Sequence, residues 1–193
     1  MARWARVVIP DCPHHVVVRG NHQERVFFSD SDRLLYLRLI RLFGIRFEIS
    51  YLAYCLMTNH VHFVAVPKSP ASLARGLGEA QRKYASLINV RENLSGHLWQ
   101  SRYRSYPMDE AHLFSAIRYI ERNPVRAGMV SNPEDYPWSS ARAHMRGGGS
   151  PDMFLETVAG TTRVDGLSAS TRYGGRSQAD QRSRAERPPA RRR

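Results

Sequence analysis

The fold prediction rests on one apolar segment, Met57-Thr58-Asn59-His60-Val61-His62-Phe63-Val64-Ala65-Val66. Its apolar and β-branched residues predict a strand over 60–66. Alternate residues of a strand point to the same face, so His60 and His62 lie side by side. Two imidazoles in this position form a ready pair of metal ligands, and a structural role for both histidines is the alternative.

The chain on either side predicts three more strands and three helices. Strands are predicted at 14–19, 46–56 and 102–108. The first helix begins among residues 29–32 and carries Leu35, Leu39 and Leu42 at helical spacing. The second spans 72–90 with a buried stripe of Leu73, Leu77, Ala80, Tyr84 and Leu87, and the third is capped by Asp109 and buries Leu113, Ile117 and Ile120.

The predicted order is β-α-β-β-α-β followed by a helix. It predicts an α+β fold of the ferredoxin-like (split βαβ) class, an antiparallel sheet with helices on one face, plus a C-terminal helix that carries Tyr119. The 193 residues divide into a folded domain at 1–146, a Gly-rich linker at 147–160 and a basic tail at 161–193 that we expect to be disordered.

The composition indicates a polyanionic partner. The net charge is +12, and 27 of the 29 basic residues are arginine, which binds phosphate through a bidentate fork. The tail holds nine arginines and three acids, so both the tail and the folded part are basic. Codon bias of the source genome is the alternative explanation for the arginine preference.

Two further features indicate a cytoplasmic protein. No apolar stretch approaches the roughly 20 residues that span a bilayer, and the N-terminus lacks the apolar region of a signal peptide. Cys12 and Cys55 have no metal-type or redox-type spacing, so both are expected to be structural thiols in a reducing compartment.

The third helix carries a polar stripe next to its core positions. His112, Ala116, Tyr119 and Asn123 follow each other along this stripe, so the tyrosine hydroxyl and the asparagine amide reach one region. Tyrosine can act as a covalent nucleophile, and an amide oxygen can complete a metal site. The alternatives are that Tyr119 is an aromatic at the edge of the core and that Asn123 is an N-cap before Pro124.

Residues 97–106 interleave aromatic residues with arginines. Trp99 and Tyr103 are candidates for stacking on unpaired bases, and Arg102 and Arg104 for holding phosphates. An edge strand with one buried face is an equally good interpretation. The turn Arg19-Gly20-Asn21 is either a backbone approach to phosphate or an ordinary turn, and Arg82 and Lys83 lie off the buried stripe of the second helix.

Taken together, these motifs resemble the single-tyrosine HUH transposases of the IS200/IS605 type, and most closely their REP-associated relatives. The resemblance spans roughly residues 5–145. It rests on His60-Val61-His62, on Val18-Arg19-Gly20-Asn21 with Val26-Phe27, on Trp99-Gln100-Ser101-Arg102-Tyr103, on the segment from Arg118 to Gly128, and on Tyr136-Pro137-Trp138-Ser139-Ser140.

The resemblance implies roles for individual residues. Tyr119 matches the nucleophile, His60 and His62 match two metal ligands, and Asn123 matches the third ligand, where insertion-sequence relatives more often carry glutamine. The implied chemistry is cleavage and rejoining of single-stranded or hairpin DNA through a 5′-phosphotyrosine, with Mg²⁺ or Mn²⁺ as cofactor. The expected DNA-binding residues are Arg19, Asn21, Arg82, Lys83, Trp99, Arg102, Tyr103, Arg104 and Arg126.

Several alternatives stay open. The protein is expected to be a monomer or a homodimer in the bacterial nucleoid, with no membrane or small-molecule partner. One rival is a nucleic-acid-binding module of the same fold without catalysis. A replication-initiator or relaxase-type nickase would need a third metal-binding histidine, for which the sequence offers no candidate at the matching place. A structural zinc protein fits poorly, because no cysteine–histidine cluster exists.

Overall fold

The structure is a computed structural model that describes residues 7–145. The predicted linker at 147–160 and the basic tail at 161–193 lie outside the described residues. The strands are β1 (His14–Arg19), β2 (Ile49–Leu56), β3 (His60–Pro67) and β4 (Arg104–Pro107). The helices are α1 (Asp30–Arg46), α2 (Ser72–Arg91), α3 (Glu110–Glu121), α4 (Asn123–Arg126) and α5 (Ala141–Met145), with short 3₁₀ turns at Asn21–Gln23 and Pro133–Asp135.

The four strands form one antiparallel sheet in the order β2-β3-β1-β4. A tight connection at residues 57–59 joins β2 to β3 as antiparallel neighbours. Each of the two helical crossovers skips one strand: α1 connects β1 to β2 across β3, and α2 connects β3 to β4 across β1. The sheet therefore interleaves the two halves of the domain, and both central strands are paired on both sides.

One face of the sheet, here called the helix-covered face, packs against α1 and α2. It carries Val16 and Val18 of β1 with Val61, Phe63 and Ala65 of β3, all of them buried. Tyr36 of α1 and Tyr84 of α2 pack edge to face at 5.0 Å between ring centroids and complete this core. These residues occupy every second strand position, which is the alternation that the sequence predicts for a half-buried strand.

The opposite face, here called the histidine face, is covered only in part. It carries His15, Val17 and Arg19 of β1 and His60 and His62 of β3. Helix α3 covers the β2 side, where Leu113, Ile117 and Ile120 pack on Ala53, Cys55, Met57 and Val64. The Asp109 side chain caps α3 by accepting the His112 amide hydrogen at 2.9 Å, as predicted. Toward β4 this face is more open, and the Arg104 and Tyr106 side chains are exposed there.

Several predicted details are wrong. Helix α1 continues to Arg46, so the second strand begins at Ile49 and not at residue 46. Leu42 is exposed on α1. On α2 the buried position is Ile88 and not Leu87, because the stripe from Tyr84 advances by four residues.

Within residues 7–145, the structure contains no helix with the length and apolar composition that a membrane span requires.

Candidate active site

Strand pairing sets out the residues of the histidine face in rows. His60 lies opposite Arg19, His62 opposite Val17, and Val64 opposite His15. On the other side of β1, Arg104 lies opposite Val17 and Tyr106 opposite His15. Residues paired across antiparallel strands share a face, so the histidines, both arginines and Tyr106 form one polar surface.

Three imidazoles are in contact on this surface. The rings of His60 and His62 meet edge to face with 5.0 Å between centroids. His15 stacks on His62 at 5.2 Å, and its Nε2 is 3.0 Å from Nδ1 of His62. Nδ1 of His60 is 2.7 Å from Oδ1 of Asn59. One ring nitrogen of each member of the predicted pair, Nδ1, thus has a defined partner.

These histidines are held in the neutral form. Burial, and then the charge of Arg19, lower the pKa of His60 to about 4. Burial lowers the pKa of His62 to about 3, with further contributions from its neighbours His60, His15, Arg19 and Arg126. Burial also lowers the pKa of His15. A neutral imidazole has an unprotonated nitrogen, which is the form that binds a metal ion.

Tyr119 lies on α3 and faces the histidines. Its side chain is 45% exposed, and its ring centroid is 6.1 Å from those of His15 and of His62. The guanidinium carbon of Arg126 lies 4.5 Å from the ring centroid, a cation–π contact. The tyrosine reaches this place because Ile117 and Ile120, on either side of it in the helix, anchor α3 to the sheet.

Asn123 is the first residue of α4, half-buried, and follows the tyrosine by one helical turn. Its amide nitrogen donates to the Tyr119 carbonyl at 3.4 Å. The alternative that Asn123 is the N-cap of the following helix is wrong, because that position belongs to Arg122.

Within residues 7–145 no three His, Cys, Asp or Glu side chains are grouped so that they hold a metal ion by themselves. A cation at the histidine pair would therefore need an amide, water or phosphate oxygen as well.

Trp99 and Tyr103 are not available for stacking on bases, which corrects the prediction made from their spacing. They are 9% and 3% exposed and belong to the core under α1 and α2. The Trp99 ring packs 5.6 Å from that of Tyr36, and its Nε1 donates to the Gln81 carbonyl at 3.3 Å. The alternative interpretation, an edge segment with one buried side, describes what is found.

The other predicted DNA-binding residues divide between the two faces. Arg19, Arg104 and Arg126 are exposed beside the histidines. Arg82 and Lys83 are exposed on α2, which packs against the helix-covered face, so they lie behind the sheet. Asn21 and Arg102 flank the sheet in the connections after β1 and before β4.

Three residues near the pair were not predicted: His15, Tyr106 and Asn59. His15 shares its face with Arg19 because the two are four positions apart in β1, a signal that the sequence contains. That this face adjoins His62 depends on the pairing of β1 with β3 across 47 residues, which periodicity does not reveal. Tyr106 is 52% exposed and packs 6.5 Å from His15.

One of the comparisons with known proteins identifies a family. A family model described as IS200-like transposase matches residues 8–123. The solved structure of a REP-associated tyrosine transposase bound to a REP hairpin is similar at a TM-score of 0.65 and 17% identity, covering 88% of this chain and 96% of that one. A protein from Deinococcus radiodurans matches at a TM-score of 0.43 and 17% identity, covering 63% and 97%. No curated protein matches the chain.

Proposed function

The chain belongs to the IS200-like transposase family, and we propose that it cleaves and rejoins single-stranded DNA through a covalent link to Tyr119. The proposed substrate is a REP-type hairpin with flanking unpaired bases, because the structurally similar transposase is bound to a REP hairpin. The observation that carries the proposal is the exposed ring of Tyr119, 6.1 Å from that of His62. A tyrosine beside a pair of neutral imidazoles suits phosphodiester cleavage.

In the proposed reaction the Tyr119 oxygen bonds to phosphorus and the bond from phosphorus to the 3′ oxygen breaks. The hydroxyl proton leaves the tyrosine and the departing oxygen takes up a proton, which gives a 5′-phosphotyrosine and a free 3′-hydroxyl. Because one phosphodiester bond replaces another, a second 3′-hydroxyl can reverse the step and join two strands. Arg126 holds the ring from one side and adds positive charge where the phosphate would lie.

We propose His60, His62 and Asn123 as the ligands of Mg²⁺ or Mn²⁺. The donor set fits these ions, since two neutral imidazoles and an amide oxygen leave positions for water and phosphate oxygens. A bound divalent cation would polarise the scissile phosphate. The histidine face supports the ligands by keeping both rings neutral, each with one nitrogen lone pair, at neutral pH.

The single strand is proposed to cross the histidine face on its β4 side, where Arg104 and Tyr106 are exposed. Arg19 and Arg104 would contact phosphates there, and Tyr106 replaces Trp99 as the aromatic residue that offers its ring to a base.

The antiparallel strand order and the two interleaved crossovers support assignment of the domain to the ferredoxin-like class. The proposed site of action is chromosomal DNA in the bacterial cytoplasm.

The test is cleavage of labelled single-stranded hairpins with Mn²⁺ or Mg²⁺, with a denaturing gel that detects a protein–DNA adduct. Wild type should form the adduct and Tyr119→Phe should not, while hairpin affinity stays the same. Tyr106→Phe is a matched control, because it removes the hydroxyl of a second exposed tyrosine on the same face and should leave the adduct unchanged. Tight hairpin binding without an adduct under either metal would overturn the proposal in favour of a binding module.

A further inference from the structure

The two histidines of the pair use the same ring nitrogen for a hydrogen bond to a neighbouring side chain. Nδ1 of His60 is 2.7 Å from Oδ1 of Asn59, and Nδ1 of His62 is 3.0 Å from Nε2 of His15. Both Nε2 atoms are left out of these bonds. Ligand histidines in metal sites are commonly oriented in this way by a partner on the nitrogen that does not bind the ion.

The hydrogen on His60 follows from the contacts of Asn59. The Asn59 amide nitrogen donates to the Gln23 carbonyl at 2.8 Å, and a carbonyl only accepts, so the amide oxygen must be the atom that faces His60. That oxygen only accepts as well, so Nδ1 of His60 carries the hydrogen. A neutral imidazole has one such hydrogen, and Nε2 of His60 therefore has the lone pair.

The turn after β1 supports this contact, because it presents the Gln23 carbonyl to Asn59. His22 and Gln23 have φ values of 49° and 62°, which lie in the left-handed backbone region that residues other than glycine seldom adopt. Gly20 donates to the Asn59 carbonyl at 2.8 Å, which ties the same turn to the strand entrance. A β-carbon at Gly20 would lie 2.3 Å from the Glu24 carbonyl oxygen, so the turn needs glycine there.

His15 has the corresponding place beside His62. Two ring nitrogens 3.0 Å apart share one hydrogen, so one ring donates and the other accepts. If His62 donates, its Nε2 has a lone pair like that of His60. If His15 donates, a neutral His62 carries its hydrogen on Nε2 and cannot bind a cation there. Only the first arrangement gives two lone pairs on adjacent rings.

We infer that Asn59 and His15 are positioning residues that hold His60 and His62 in the Nδ1–H tautomer and so present two Nε2 lone pairs to a divalent cation. This inference rests on the proposed function for the identity of the site. Neither residue is proposed to contact DNA. The turn at Asn21–Gln23 helps to arrange the site, because its Gln23 carbonyl accepts a hydrogen bond from Asn59.

The first experiment is ¹⁵N NMR of the histidine rings in the metal-free, DNA-free protein at neutral pH. Wild type should show the Nδ1–H tautomer at both His60 and His62. Asn59→Leu should release His60 alone and His15→Phe should release His62 alone, so each variant is the control for the other. Asn59→Asp and His15→Gln keep an acceptor oxygen and should retain the tautomers.

The second experiment is Mn²⁺ titration of the same proteins followed by electron paramagnetic resonance. Asn59→Leu and His15→Phe should weaken Mn²⁺ binding by about 10–100-fold, and the two conservative variants should weaken it less. Circular dichroism establishes that each variant is folded. The ¹⁵N NMR spectrum of the wild-type protein tests the tautomers even if a variant fails to fold. An Nε2–H tautomer at either ring in wild type, or an unchanged Mn²⁺ affinity in both disruptive variants, would overturn the inference. Neither readout involves DNA, so a failure of the proposed cleavage reaction is observed separately.

Discussion

The two faces of the sheet are built from the same strands and differ in what covers them. Strand β3 directs Val61, Phe63 and Ala65 into the core beneath α1 and α2, where they have no exposed surface. Its alternate residues His60 and His62 point to the histidine face, which α3 covers only on the β2 side. One strand therefore contributes to stability through one set of side chains and to the candidate chemistry through the other.

A buried charge on the helix-covered side and the histidines of the other face have different kinds of partner. On the helix-covered side the buried Asp32 carboxylate accepts from the Phe28 and Ser29 amides and pairs with Arg91. On the histidine face Nδ1 of His60 and Nδ1 of His62 bond to Asn59 and His15, and both Nε2 atoms are left out of these bonds. Functional sites are commonly drawn from the less completely covered part of a fold.

The largest expected contrast comes from neighbouring residues of β3. Phe63→Ala leaves a cavity in a closed core and should lower the free energy of unfolding by about 3–5 kcal/mol. His62→Ala should cost less, about 1–2 kcal/mol, because it removes one hydrogen bond and the packing of a buried ring against His15 and His60, yet it should reduce adduct formation at least about 100-fold. Urea unfolding and the adduct gel measure the two effects, and equal destabilisation by both changes would abolish the contrast.

The second contrast compares two aspartates at the start of α1. Burial opposes the charge of Asp32, but Arg91 and the two amide hydrogens outweigh it and hold the pKa of this carboxyl at about 2. Asp32→Asn should therefore cost about 2–4 kcal/mol, because it removes a buried charge that Arg91 and the helix start both need. Asp30→Asn is the control: its side chain is 74% exposed and pairs with Arg33, so the change should cost under about 0.5 kcal/mol. Thermal unfolding measures the loss of stability in each variant, and similar losses in the two would contradict this account.

The sequence predicts the helix-covered face better than the histidine face, for a physical reason. Alternation in β3 and the stripe Leu73, Leu77 and Tyr84 of α2 are local patterns, and each indicates which side of an element is buried. The pair His60 and His62 is local in the same sense. The contact of His15 with His62 depends on strand register, which is set by packing between distant segments.

The prediction for residues 97–106 fails for a related reason. Alternating aromatics and arginines predict equally well a surface that binds bases and a segment with one buried side. The choice depends on whether α1 and α2 leave a gap, and Tyr36 and Tyr84 border the place that Trp99 fills. Nothing in the local pattern contains that information, so burial is decided by tertiary packing.

Acid pH should separate the two faces in the metal-free protein. The pKa values of His60 and His62 lie at about 4 and about 3, below the ordinary histidine value, so the unfolded chain binds protons first as the pH falls. Stability should therefore drop below about pH 6.5, by about 2 kcal/mol for each of the two histidines near pH 5. The Asp32 contribution is present above about pH 4 and is lost only as the pH falls toward 2. In urea unfolding with a chelator, His62→Gln should reduce the loss of stability that begins below about pH 6.5 and leave the loss toward pH 2 unchanged. A change confined to the lower pH range would contradict the assignment to His62.

The smallest expected effect concerns arginines on opposite sides of the sheet. Arg104 lies on the histidine face opposite Val17, whereas Arg82 lies on α2 and pairs with Glu79 at 2.5 Å. Arg104→Gln should weaken hairpin binding about 3–10-fold and reduce the slope of log K against log salt concentration by about 0.7, the value for one phosphate contact to a single strand. Arg82→Gln removes the same charge behind the sheet and should change neither quantity by a comparable amount. Fluorescence anisotropy over a salt series measures both, and equal slopes for the two variants would mean that the DNA does not distinguish the faces. A loss confined to Arg104→Gln would place the phosphate path beside the histidines, where Tyr119 also lies.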